Sequence, residues 1–152
     1  MYPIRIAKRK DLNAIVQLLS EDPLGKKRED YQIPLPNRYY RAFEKIASDP
    51  NQELVVVEGA AGEVIGTLQL SFLRYLTYQG GMRAQIEAVR VHNAYRGKGI
   101  GRQLFEWAIQ RAKEKGAHVV QLTTDKKRPN AISFYKKIGF VASHEGMKLH
   151  IK

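Results

Sequence analysis

The spacing of apolar residues changes period several times along the chain, and each change predicts an element. Leu68, Leu70 and Phe72 alternate with Thr67, Gln69 and Ser71, a period of two that predicts a strand with one buried face. The run Leu54, Val55, Val56, Val57 suits a strand buried on both faces, within Glu53 to Glu58. Helical spacing appears first at Leu12, Ile15, Val16 and Leu19, behind Asp11 as a capping residue, and again at Ile100, Leu104, Trp107, Ala108 and Ala112. Gly116 is placed to end that second helix.

The remaining segments fill in around these. Pro3 to Ala7 reads as a first strand, and Glu21 to Pro36, with three prolines and clustered charges, reads as loop. Asn37 is positioned to cap a helix running to about Ser48. Gly80 and Gly81 mark a hairpin tip before a strand from about Met82 to His92. A strand around His118 to Thr124, a helix from near Pro129 to Gly139 and a last strand from Phe140 complete the order β-α-α-β-β-β-α-β-α-β. No repeat, low-complexity stretch or linker divides residues 1–152, so one domain is expected, of the α/β (α+β mixed) class: a mixed sheet of about six to seven strands flanked by helices.

Composition narrows the chemistry. The 152 residues include no cysteine, which removes disulfide frameworks, thiolate catalysis and cysteine-type zinc sites. Histidines 92, 118, 144 and 150 show no metal-ligand spacing, so no metal is expected. No apolar run approaches the roughly 20 residues that span a bilayer, and the N-terminus lacks a signal-peptide stretch. The expectation is a cytoplasmic protein without a membrane partner. The net charge of +11 is unevenly placed: through Val89 there are 12 basic and 11 acidic residues, from Arg90 onward 14 and 4. An excess of that kind marks where an anion docks, and the anion need not be a polymer.

The segment best suited to an anion is Arg96-Gly97-Lys98-Gly99-Ile100-Gly101-Arg102, between a strand and a helix. Its glycines allow a tight turn and close backbone approach, and the uncapped N–H groups and positive dipole end of the helix face the same place. Arg96, Lys98 and Arg102 add charged donors. The spacing matches neither GxGxxG nor GxxxxGK[ST], so neither a dinucleotide fold nor a P-loop is supported.

With these residues in view, Arg96 to Gly101 resembles the acetyl-CoA motif [Q/R]-x-x-G-x-[G/A] of the GCN5-related N-acetyltransferases (GNAT). Asn130 to Phe140, with its Asn, its Phe134-Tyr135 pair and its Gly139-Phe140, resembles the second signature of that family. The resemblance implies a direct acetyl transfer from acetyl-CoA, as cosubstrate, to a primary amine of a small molecule or protein. It further implies that amides of Arg96, Gly97, Lys98, Gly99, Ile100, Gly101 and Arg102 hold the pyrophosphate. Val89, Arg90 and Val91 would pair with the pantetheine arm, which the Asn130 side chain also meets.

Tyr135 matches the position of the family's usual general acid for the departing thiolate. A phenol with a pKa near 10 is protonated at neutral pH without special tuning. Its other reading is a packing residue under the sheet. Glu87 has two equal readings. On the strand leading to the loop, alternating with Gln85 and Val89 on one face, it is either the general base or a solvated, ion-paired strand residue. Lys126-Lys127-Arg128 is read as a solvated face or a contact for the 3′-phosphate.

Tyr31, Tyr39 and Tyr40, with Phe72, Tyr75 and Tyr78, are read either as walls of an acceptor pocket or as anchors and core. Residues 121–128 bear a faint resemblance to aminoalkylphosphonate acetyltransferases, which names no substrate. Two other function classes compete: a basic nucleic-acid-binding module, for which no helix-turn-helix, zinc-finger or RNP-like pattern exists in the sequence, and a non-catalytic acyl-CoA sensor. Homodimers are common in the family, although the sequence marks no interface.

Overall fold

In a computed structural model the described residues are 1–128 and 130–152. The elements in order are β1 (Ile4–Ile6), α1 (Leu12–Ser20), α2 (Pro23–Arg28), α3 (Asn37–Ser48), β2 (Gln52–Glu58), β3 (Val64–Arg74), α4 (Thr77–Gly80), β4 (Met82–Val91), α5 (Ile100–Lys115), β5 (Val119–Gln121) and α6 (Ala131–Ile138). One sheet has the order β1-β2-β3-β4-β5. Its first three pairings are antiparallel and β4 with β5 is parallel, so the sheet is mixed as expected.

The sheet has five strands, against the six to seven expected from the sequence. The difference lies at the C-terminus, where residues 140–152 form neither strand nor helix. Met147, Leu149 and Ile151 alternate with Lys148, His150 and Lys152 in a strand-like pattern, but they are exposed and no neighbouring strand completes their hydrogen bonds. A second difference is α2, within a stretch expected to be loop. Asp22 caps it by accepting from the Gly25 N–H at 2.7 Å, with Pro23 at the first helical position. The helix α3 starts at Asn37, whose cap position is taken by Pro36.

Two hydrophobic layers sandwich the sheet. On one face Val55, Val57, Leu68, Leu70, Ala84 and Ile86 pack against Ile100, Leu104, Phe105 and Ala108 of α5. On the other, Leu54 and Val56 pack against Leu12, Ile15 and Val16 of α1 and Phe43 of α3. The strand β2 therefore buries both faces, which explains its unbroken apolar run. Asp11 closes a 3-10 turn at Arg9–Asp11 by accepting from the Lys8 N–H at 2.7 Å, and its carboxylate pairs with Arg5 of β1 at 2.7 and 2.9 Å. That pair fixes α1 to the sheet edge.

The β3–β4 connection is a turn around α4, with Tyr78 at φ 53, Gln79 at φ 58 and Gly80 at φ 73. Tyr78 stacks on His118 and Arg83 covers both Tyr75 and Tyr78. This end of β4 lies about 30 Å along the strand from Val91, at roughly 3.3 Å per residue.

Candidate active site

The site begins with a bulge in β4. Ala88 has φ 56, and the β3–β4 register slips between Thr67↔Arg90 and Gln69↔Glu87, so one β3 residue, Leu68, faces both Ala88 and Val89. Ala84 and Ile86 face α5 before the bulge, and Val89 and Val91 pack toward the same core after it. Gln85, Glu87 and Arg90 consequently share the opposite face, the one covered by α1 and α3, with Ser71, Gln69 and Thr67 as their respective cross-strand partners. The expectation that Glu87 and Val89 alternate on one face is corrected by this bulge. A left-handed alanine leaves no mark in the sequence.

Beside the bulge the sheet opens. The strands β4 and β5 pair only at Arg83, Ala84 and Gln85 with Val119, Val120 and Gln121. Beyond Gln85 the β5-facing edge of β4, through Val89, Arg90 and Val91, has no strand alongside it among the described residues. An edge of unpaired backbone groups in the middle of a sheet is a place for an extended ligand to pair.

The glycine loop sits at the end of this open edge. Asn93–Tyr95 forms a 3-10 turn, Gly97 has φ 77 and Gly99 φ 80, and α5 begins at Ile100. No side chain caps α5, and its first intrahelical acceptor is the Gly99 carbonyl, taken by the Gln103 N–H at 3.0 Å. The amides of Ile100, Gly101 and Arg102 thus point out of a 16-residue helix toward the loop. Gly97 and Gly99 are required by their positive φ. At Gly101 an added Cβ would stand 3.6 Å from Phe134, an ordinary contact, which is why alanine suits that position of the motif.

The helix α6 carries Tyr135 to the same opening. It has no fully buried residue of its own and is held by stacking on Phe105 of α5, whose ring centroid lies 5.6 Å from Phe134, 5.4 Å from Tyr135 and 5.9 Å from Phe140. Burial raises the Tyr135 pKa above the ordinary phenol value, against the lowering influence of Arg128, Arg90 and the Thr124 hydroxyl. The neutral phenol is therefore present at neutral pH. Asn130, just before α6, is left-handed at φ 65 and exposed, with no capping bond from its side chain. The expected start of this helix at Pro129 lies outside the described residues.

Glu87 is exposed and joins a chain of amides: Gln121 donates to Gln85 at 2.7 Å, and Gln85 donates to Glu87 at 3.2 Å. Arg96, Lys98 and Arg102 are exposed around the loop, Lys98 resting 5.2 Å from the Tyr95 ring centre and Arg102 pairing with Glu106 at 3.2 Å. Arg128 is held by Asp22, while Lys126 and Lys127 are exposed. The aromatic residues divide. Phe72 is core, Tyr75 and Tyr78 stand at the far end of β4, and Tyr31, Tyr39 and Tyr40 pack on the α1/α3 core, with the Tyr39 hydroxyl donating to Glu29 at 3.0 Å and accepting from the Asp30 N–H at 2.9 Å. They form no common wall.

The sequence missed Asp22 as a member of this region, and read Arg90 only for its backbone, not for its side chain. The Asp22-Pro23 cap signal was available for α2, but the contact between Asp22 and Arg128 joins residues 106 apart in the chain. Among the described residues no group of three or more His, Asp or Glu side chains is placed to hold a metal, and no helix is long and apolar enough to cross a membrane.

This geometry can be set beside known proteins. The model of the acetyltransferase (GNAT) family matches residues 12–140. The chain belongs to this family. Its GNAT membership makes it an N-acetyltransferase that uses acetyl-CoA as cosubstrate. The aminoalkylphosphonate N-acetyltransferase of Salmonella typhimurium is 30% identical over 141 residues, 93% of this chain and 86% of that one. Among solved structures, a protein from Bacillus halodurans described as a transcriptional regulator is 55% identical, covers 99% of both chains and superposes with a TM-score of 0.96. Glucosamine-6-phosphate N-acetyltransferase from Arabidopsis thaliana, 22% identical, shares the GNAT fold at a TM-score of 0.82, over 100% of this chain and 99% of that one.

Proposed function

We propose that residues 1–152 are a single N-acetyltransferase domain in which the opening between β4 and β5 receives acetyl-CoA and Tyr135 acts as general acid. The observation that carries this reading is the meeting, at one place, of an unpaired β4 edge, an uncapped α5 N-terminus and a half-buried neutral phenol. Backbone amides from Arg96 to Arg102 hold the pyrophosphate, with the cations of Arg96, Lys98 and Arg102 around it. The backbone of Val89, Arg90 and Val91 pairs with the pantetheine arm, which the exposed Asn130 side chain also reaches.

The cosubstrate supplies an acetyl group as a thioester. Glu87 accepts a proton from the acceptor ammonium, directly or through water, so that the amine lone pair is free. As the C–N bond forms and the C–S bond breaks, the Tyr135 hydroxyl gives its proton to the departing sulfur, and the proton that the new amide nitrogen sheds returns through water to the Tyr135 oxygen. No side chain becomes acylated. The amide chain Gln121, Gln85, Glu87 orients the base and leaves its second oxygen free.

The acceptor is a primary amine, and the named activity of the Salmonella relative supports a small molecule. The workplace of such an enzyme is the cytoplasm. The exposed, alternating tail Met147 to Lys152 supports a homodimer in which this segment finds a strand edge in a second copy. A nucleic-acid-binding reading draws on the charge and on the description of the Bacillus halodurans neighbour. Against it, Arg111 is paired with Glu53 at 2.8 Å and Arg102 with Glu106, which breaks up the basic face of α5.

Calorimetric titration separates these. Acetyl-CoA binding at micromolar concentration, with thiol release on adding an amine, supports the enzyme. Salt-dependent binding of duplex DNA without affinity for acetyl-CoA overturns it.

A further inference from the structure

Among the described residues the buried Arg90 Nε has no hydrogen-bond partner, and its guanidinium lies within electrostatic reach of Tyr135. Buried polar groups are nearly always satisfied, so a buried guanidinium with an orphaned donor asks for an explanation. Arg90 has five N–H donors but among the described residues gives one hydrogen bond, from Nη1 to the Val89 carbonyl at 2.8 Å. Its nearest carboxylate is distant, Asp22 Oδ2 at 4.0 Å from Nη2. That carboxylate is already committed, through Oδ2 to Arg128 and through Oδ1 to the Gly25 N–H. The Arg90 side chain is 14% exposed and Asp22 equally so. Arg28 adds a third cation to the field felt by Arg90. Arg90 and Arg128 thus share one carboxylate, with Arg28 as a further cation in the field of Arg90.

We propose that Arg90 and Arg128 bind an anionic group on the acceptor, making the substrate a small primary amine that carries a carboxylate, phosphonate or phosphate. This rests on the acetyltransferase reading above. Arg90 and Glu87 share a face of β4, and their partners Thr67 and Gln69 are two residues apart, about 7 Å along the strand. An amine at Glu87 and an oxyanion at Arg90 therefore fit one small molecule with a short spacer. The oxyanion fills the free donors of Arg90, and Asp22 holds Arg128 in position for it. The oxyanion is met by the side chains of Arg90 and Arg128, whereas the cofactor phosphates fall to the loop amides with Arg96, Lys98 and Arg102, so the two anions use different residues.

The test is a thiol-release assay with amines matched in length: an aminoalkylphosphonate, the amino acid and the uncharged amino alcohol. Wild type, Arg90→Lys, Arg90→Gln and Arg128→Gln are compared, with acetyl-CoA affinity measured by calorimetry. The expected result is that kcat/KM favours an anionic amine over the alcohol by at least about tenfold, that both Gln variants raise its KM about tenfold or more, and that Arg128→Gln does so with acetyl-CoA affinity unchanged. Preference for the alcohol, or an Arg128→Gln variant that weakens acetyl-CoA instead, overturns the proposal. Should no amine turn over, the same anions are titrated into the acetyl-CoA complex: binding lost in Arg90→Gln upholds the proposal, and absence of binding overturns it. Failure of acetyl-CoA to bind wild type defeats the enzyme reading itself. Arg90→Lys keeps the charge and guards against loss of fold, which circular dichroism checks.

Discussion

Tyr135 and the loop glycines carry the sharpest expectations at the scale of single residues. Burial raises the Tyr135 pKa above that of an ordinary phenol, so the proton-donating form is present at neutral pH and is lost only as pH passes the raised value. The pH profile of kcat should place its alkaline limb above the ordinary phenol range in wild type and lose that limb in Tyr135→Phe, whose kcat falls about 100-fold. A Phe variant with wild-type turnover would remove Tyr135 from the chemistry. Gly99→Ala places a Cβ at φ 80, costing about 1–2 kcal/mol and disturbing the amides at the start of α5. Gly101→Ala meets only an ordinary contact and should fold at least as stably. Denaturant melts of the two variants, together with their acetyl-CoA affinities, check the contrast.

Elements explain which parts of the site could be read without coordinates. The loop and α5 were legible because a period-3.6 stripe, Gly99 and Gly116 mark both ends of one helix. The second helix of the site was legible through its Phe-Tyr pair and Gly139, which ends it at φ 117. The bulge was not, because Ala88 is held left-handed by the surrounding sheet rather than by its own preference, and it turns Val89 to the opposite face from Glu87. Nor was the short α2, whose prolines and glycine resemble a loop although Asp22 and Pro23 spell a helix start. The expected final strand had the alternation of a strand but no partner edge. One consequence concerns α6, which depends on α5 for its place. Phe105→Ala should cost about 3–5 kcal/mol and lower kcat more than acetyl-CoA affinity, since Tyr135 rests on that ring. Thermal unfolding and steady-state kinetics on one preparation read both effects.

Charge organises the whole molecule. Of the net +11, nearly all lies from Arg90 onward, and the structure divides it among the glycine loop, the Arg90 and Arg128 cluster and a paired remainder such as Arg111 on Glu53. The N-terminal half uses its charges for stability instead. Asp11 is buried on Arg5, whose hydrogen bonds hold its carboxylate below the usual range despite the opposing effect of burial. A depressed carboxylate contributes stability that is present above its unfolded pKa near 4 and lost as pH falls below it. Asp11→Asn should therefore lower stability by about 2 kcal/mol at pH 7, or about 4–8 °C in Tm, with the difference from wild type shrinking below pH 4. The central claim is that acetyl-CoA occupies the opening beside the bulge, and amide hydrogen exchange with and without acetyl-CoA tests it most directly. Slowed exchange in segments 89–91 and 97–102 is the result predicted; bound acetyl-CoA that leaves both segments exchanging at their free rates would contradict it.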